Sequence, residues 1–221
     1  MNTVRHNLGT HFFNVFYNDV DCGNIVSIVS TIDETYQSII ERFSLEVPPE
    51  KLRLIFCIDS NDFLEQSGLP EEYYQPWIVG QADSKNNKLC VISPNTVKDR
   101  SFEDMVKVIK HEIVHIAFGQ VAYGYDVSLW LAEGTAVALS GQVYDNKLND
   151  KCFPDVHKIS DGQYFCDNNG YPYSGAYVLH LLKMIGNAEF KRVYAGESEL
   201  EQYLYDGFEK EAIVSLNKQI K

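Results

Sequence analysis

The chain has no run approaching the ~20 consecutive apolar residues that a membrane-crossing helix requires, which excludes a helical membrane anchor within it. It is also short of positive charge. Lys and Arg total 19 against 31 Asp and Glu, a formal net charge of -12. Nucleic-acid affinity comes mainly from clustered Lys and Arg neutralising phosphates, so this balance argues against a phosphate-backbone binder. Cysteines are few and odd in number. Cys57 and Cys90 lie inside apolar runs where a reduced thiol packs as a small hydrophobe. The opening Met-Asn-Thr-Val-Arg-His-Asn lacks the charged-then-apolar layout of a signal peptide, and the expectation is a cytoplasmic chain without a membrane partner. Internal repeats, low-complexity tracts and linkers are absent too. Of the 221 residues, 45% are hydrophobic and 23% charged, the composition of a globular protein with a substantial core.

What is present reads as strands and one helix first, helices afterwards. His11 to Tyr17 is aromatic and β-branched, a strand. Asn24 to Phe43 carries Ile25, Val26, Ile28, Val29, Ile32, Tyr36, Ile39 and Ile40 at three and four spacing, an amphipathic helix ending before Pro48. Leu52 to Ile58 is a strand buried on both faces, and Asn61 to Gln66 a short helix closed by Gly68. Trp77 to Ala82 and Lys88 to Ser93 form a hairpin around a polar turn. Ser101 with Asp104 starts a helix expected from Phe102 to Phe118, stopped at Gly119, and a second helix reaches Ser140 before Gly141. Gln142 to Pro172 has no sustained period and reads as a long loop. From Ser174 onward the pattern is helical, interrupted by Gly186, Gly196 and Gly207. The expectation is one α+β domain over 1–221: a mixed sheet with a backing helix over about 1–120, a helical lobe over about 121–221.

His111-Glu112-Ile113-Val114-His115 matches H-E-x-x-H inside a predicted helix. Positions i and i+4 share one helical face, so two imidazole nitrogens can reach one ion while Glu112 projects beside it. Zinc suits two neutral imidazoles plus a carboxylate. The pattern arises by chance in roughly 1% of chains of this composition. Downstream, Trp130-Leu131-Ala132-Glu133-Gly134-Thr135-Ala136 places Glu133 on the next predicted helix, where an antiparallel return brings its carboxylate back to the ion.

With both motifs present, the chain resembles the gluzincin metallopeptidases, whose signature is H-E-x-x-H followed by a ligand Glu in a W-x-x-E-G-x-A context. From His11 to at least Gly186 its layout is similar to that of the peptidase-MA-like group: aromatic strand, long helix, buried strand, hairpin, metal helix, W-L-x-E-G-x-A helix. The resemblance implies a zincin-like fold and one Zn²⁺ per chain held by His111, His115 and Glu133, with Glu112 as general base. It also implies a tyrosine just before a helix that donates to the developing oxyanion, with a glycine fifteen residues later. Tyr171 and Gly186 have that separation, and Tyr173 is the second choice. Zincins bind peptide backbone along an exposed strand edge, which by order falls on Gly80, Gln81, Ala82 and Asp83. One departure concerns the position four residues after the ligand Glu. That position is often acidic in gluzincins and is Val137 here, so His orientation must come from a backbone carbonyl or Ser140.

The function expected is therefore zinc-dependent hydrolysis of peptide bonds in a peptide or protein substrate. Two alternatives stand beside it: a zinc-bound interaction module without turnover, and a zinc hydrolase of a non-peptide acyl substrate. Cys152, His157 and Cys166 match no regular zinc spacing and read as loop residues. His6, His11 and His180 have no partners in sequence and read as structural or exposed.

Overall fold

The computed structural model describes residues 5–122, 124–145 and 147–220. They are mixed α+β, and the chain divides into two compact units, Met1–Gln120 and Val121–Lys221.

In the first unit the elements run β1 (His6–Gly9), β2 (Phe13–Tyr17), α1 (Ile25–Phe43), β3 (Leu52–Cys57), α2 (Ser60–Ser67), β4 (Gly80–Asp83), β5 (Lys88–Ile92) and α3 (Phe102–Val121). The strand order is β1-β2-β3-β5-β4. β2, β3 and β5 are mutually parallel, while β1 and β4 pair antiparallel at the two edges. Central parallel strands are covered on both faces, which explains the unbroken Leu54-Ile55-Phe56-Cys57 run, all of it buried. Edge strand β1 is absent from the sequence reading. His6-Asn7-Leu8-Gly9 is short, mostly exposed and without alternation, and only pairing with β2 makes it a strand.

α1 buries the stripe Ile25, Ile28, Val29, Ile32, Tyr36, Ile39, Ile40 and Phe43. Val26, counted by periodicity among the apolar positions, instead stands 73% exposed. Each fully buried Ile or Phe contributes about 1.5–3 kcal/mol of transfer free energy before chain entropy is counted. Phe43 meets Phe118 edge-on at 4.9 Å, which docks α3 against α1.

α3 starts with a reciprocal cap. Asp104 N–H donates to Ser101 Oγ at 3.1 Å, and Ser101 N–H donates to Asp104 Oδ2 at 3.3 Å. The helix runs on through Gly119, where the sequence pattern predicts its end. The glycine serves close approach instead: a Cβ there would lie 2.5 Å from the Ser84 side chain, just after β4. Gln120 Nε2 then donates to Asn87 Oδ1 at 3.1 Å. From Glu112 to Gly119 the helix rises about 10 Å. From Gly80, which lies against Glu112, to Ser84 the chain advances about 13 Å. Edge strand and helix therefore run side by side in the same direction.

The second unit holds α4 (Leu129–Ser140), α5 (Gly162–Asp167), α6 (Gly170–Tyr194) and α7 (Phe208–Asn217). α4 and α6 pack at backbone distance. A Cβ on Gly134 would stand 2.4 Å from the Ser174 carbonyl oxygen, and one on Gly175 would stand 2.6 Å from Val137 Cγ1. Trp130, Tyr177 and Phe208 continue this contact into the core. α6 contains one non-helical residue, Gly186, at φ 75° and ψ 170°, a conformation glycine adopts without a Cβ penalty.

The stretch expected as a loop from Gln142 to Pro172 is partly helical. It includes a 3-10 turn, Gln142–Tyr144, then α5 and the first turn of α6. What remains is held by side chains. Tyr177 Oη donates to the Pro154 carbonyl at 2.6 Å, and the Asn217 amide clamps Leu148 with bonds of 2.8 and 2.9 Å to its C=O and N–H. Such long-range amide and phenol contacts leave no periodic trace in sequence. Among the described residues, no helix is long and apolar enough to cross a membrane.

Candidate metal centre and catalytic residues

On α3 the one-turn spacing of His111 and His115 puts both rings on one face. Their centroids lie 4.7 Å apart at 74°, and the two Nε2 atoms approach to 3.0 Å. Two imidazole nitrogens on one tetrahedral zinc ion, each at about 2.0–2.1 Å, stand about 3.3 Å from each other. The observed pair is close to that separation, so these residues fit a shared ion. His111 is 9% exposed, which limits the water able to compete for its nitrogen.

Glu112 sits on the same helix and is 8% exposed. Its side chain lies against β4: a Cβ on Gly80 would be 2.9 Å from both Glu112 Cγ and Oε1. The first residue of the edge strand is thus the one that must lack a side chain for the carboxylate to be there. Gln81 and Ala82 follow on β4, half-buried, and among the described residues β4 has β5 as its single strand partner. The sequence-predicted Gly80-Gln81-Ala82 segment is an edge strand, and Gly80 places its start at Glu112.

In the second unit, Glu133 is half-buried on α4, next to Gly134. Because Gly134 and Gly175 allow α4 and α6 to meet at backbone distance, Glu133 and the start of α6 belong to one tightly packed element pair. Tyr194, at the far end of α6, is 3% exposed. Burial, with the Glu133 carboxylate adding to it, pushes its phenol well above the ordinary tyrosine value, so the hydroxyl stays protonated as a donor. Sequence reasoning passed over Tyr194, because no short-range motif links it to Glu133.

The departure at Val137 has a packing reason. Val137 is 3% exposed and its methyl occupies the space that a Gly175 side chain would need, so an ionised carboxylate there would be buried in an apolar helix contact. Ser140 directs its hydroxyl proton at the Val137 carbonyl, 3.3 Å away in its own helix.

Tyr171 and Tyr173 are inside the first turn of α6 and not in a loop before it, with Pro172 tolerated there because first-turn N–H groups need no helical acceptor. Their hydroxyls differ. Tyr173 is 8% exposed and directs its O–H toward the carbonyls of Cys152, at 3.2 Å, and Asn149, at 3.4 Å. Tyr171 is 38% exposed, with its ring edge-on to Phe165 at 4.8 Å.

Elsewhere, Cys152, His157 and Cys166 do not come together as a ligand group among the described residues, and His157 faces Glu201 at 3.6 Å. His11 packs edge-on against Phe12, and His180 shares a 3.0 Å hydrogen bond with the Tyr205 hydroxyl. His6, read from sequence as partnerless, has a partner: its Nε2 is 2.6 Å from Asp19 Oδ1. Compared with protein-family models and with curated proteins, the chain matches none.

Proposed function

We propose that this chain is a zinc-dependent metallopeptidase of zincin-like fold. The observation that carries the reading is the pair of Nε2 atoms 3.0 Å apart on α3, with the intervening Glu112 buried against Gly80 of an edge strand. In this reading His111, His115 and Glu133 hold one zinc ion through two nitrogens and a carboxylate oxygen.

When bound, the ion supplies Lewis-acid polarisation of the scissile carbonyl and lowers the pKa of water toward ~7. The chain's own groups do the rest. Glu112 takes a proton from the attacking water and delivers it to the leaving nitrogen as the C–N bond breaks. Its burial against β4 holds the carboxylate in one place and keeps bulk water from competing. Tyr171 donates its phenolic hydrogen to the oxyanion that forms on the former carbonyl oxygen. The Tyr173 hydroxyl, engaged with loop carbonyls, positions the loop and not the substrate.

A peptide is favoured over other acyl compounds by β4. An edge strand offers backbone N–H and C=O groups that pair with an extended peptide main chain, and Gly80 delivers that edge to the base. The deciding experiment couples elemental analysis of the purified protein with mass-spectrometric readout of cleavage in peptide and ester libraries. Peptide cleavage that follows zinc loading supports the reading. Zinc-loaded protein that cleaves esters alone would overturn the peptidase assignment, and loaded protein that cleaves nothing would make the chain a silent interaction module.

A further inference from the structure

We propose a second metal site, separate from the α3 centre, formed by His6, Asp19 and Cys22 on the β1–β2 side of the first unit. Each offers one ligand atom, and the three atoms lie within 4.8 Å of one another. His6 is on edge strand β1 opposite Tyr17, whose ring flanks the imidazole at 5.2 Å. Asp19 opens the 3-10 turn that follows β2, and Cys22 caps its C-terminal end, its N–H donating to the Asp19 carbonyl at 3.2 Å.

The turn is a held scaffold and not a loose loop. Asp21, its last residue, is fully buried, accepting from Asn18 N–H at 3.1 Å, from Asn95 Nδ2 at 2.8 Å and from the Ser93 hydroxyl. Asn18 is itself tied to β3, its Nδ2 donating to the Phe56 carbonyl at 2.9 Å. With Asp21 anchored inward, Asp19 and Cys22 face outward from a backbone fixed against β3 and β5. A preorganised turn lowers the ordering cost of gathering ligands.

The donor set selects the ion. An imidazole, a carboxylate and a thiolate suit zinc-class divalent ions and not Mg²⁺ or Ca²⁺, which take oxygen ligands. Asp19 Oδ1 and His6 Nε2, now 2.6 Å apart, need to open to about 3.3 Å around a tetrahedral ion. Asp19, with its side chain 93% exposed, is free to make that movement. On binding, Cys22 gives its thiol proton to solvent and the His6 proton is carried at Nδ1. The carboxylate and thiolate charges then neutralise a divalent ion. Three protein donors leave one position for water, so the site is open and solvent-facing.

The test uses the whole chain stripped of metal, with cobalt as a spectroscopic stand-in for zinc. Expected is a thiolate-to-cobalt charge-transfer band that disappears in Cys22→Ser and in His6→Ala and persists in a His111→Ala/His115→Ala double variant. That double variant makes failure here distinguishable from failure of the peptidase reading. In the parent chain, zinc should slow alkylation of Cys22, read on its own peptide by mass spectrometry, by about tenfold or more. This arm needs no substitution, so a misfolded variant cannot obscure the answer. A charge-transfer band that survives Cys22→Ser, or Cys22 alkylation that is indifferent to zinc, overturns the proposal.

Discussion

Gly80 and Glu112 share one space: a Cβ on the first residue of β4 would lie 2.9 Å from the Glu112 carboxylate oxygen. Gly80→Ala therefore forces either the strand or the proposed base to move. The expected cost is about 1–3 kcal/mol in stability from overpacking and about 10²-fold in turnover, the scale on which ~1 Å of misplacement at a reacting group is felt. Ala82→Gly, on the same edge, should leave turnover within a few-fold. Chemical denaturation and peptide kinetics on the two variants make the comparison, and equal kinetics would show that Glu112 does not depend on Gly80.

Separating base from ligand calls for Glu112→Gln against Glu133→Ala. The first keeps shape and removes the proton acceptor, so zinc should remain while turnover falls by about 10²-fold to 10⁴-fold. The second, like His111→Ala or His115→Ala, should lose the zinc of the α3 centre, a fall of about one equivalent per chain in elemental analysis against the parent. Full occupancy in all three ligand variants would sink the metal assignment.

Two phenol-to-phenyl changes distinguish the tyrosines of α6. Tyr171→Phe is expected to lower kcat by about 10²-fold to 10³-fold with KM little changed, the pattern of a hydrogen bond made mainly in the transition state. Tyr173→Phe removes a donor to the Cys152 and Asn149 carbonyls, so it should cost about 1 kcal/mol of stability and leave kcat near the parent value. A larger kcat loss in Tyr173→Phe would reverse the assignment.

Acid stability should report on Glu189. Hydrogen bonds from Ser198, at 2.6 Å, and Tyr203, at 2.8 Å, with Arg192 beside them, hold its carboxyl below the ordinary value of 4.5. A folded-state pKa below the unfolded one gives stability that is present above 4.5 and is lost as pH falls through the folded value. Glu189→Gln should therefore flatten the acid limb of the stability profile and leave the neutral-to-alkaline side parallel to the parent. Urea denaturation across that range measures it, and an unchanged acid limb would show that these bonds are not coupled to folding.

Local pattern was enough for most elements. The three-and-four spacing of α1, the apolar run of β3, the Ser101–Asp104 cap and the Gly68 helix stop are short-range signals, and the structure carries each of them. The one-turn pairing of His111 and His115 is of the same kind, because helix geometry alone sets two side chains on one face. Tertiary structure decided what depends on residues far apart in the chain. It made β1 a strand by pairing it with β2, used Gly119 within α3 for close approach to Ser84 and not as a helix stop, and turned part of a supposed loop into α5 and the start of α6. It also put Gly80 at Glu112, Val137 at Gly175, the Tyr173 hydroxyl at Cys152 and His6 at Asp19. Periodicity reports the backbone's own hydrogen-bonding repeat within a few turns. Steric exclusion and side-chain pairing across tens of residues have no repeat to leave in the sequence, and packing alone settles them.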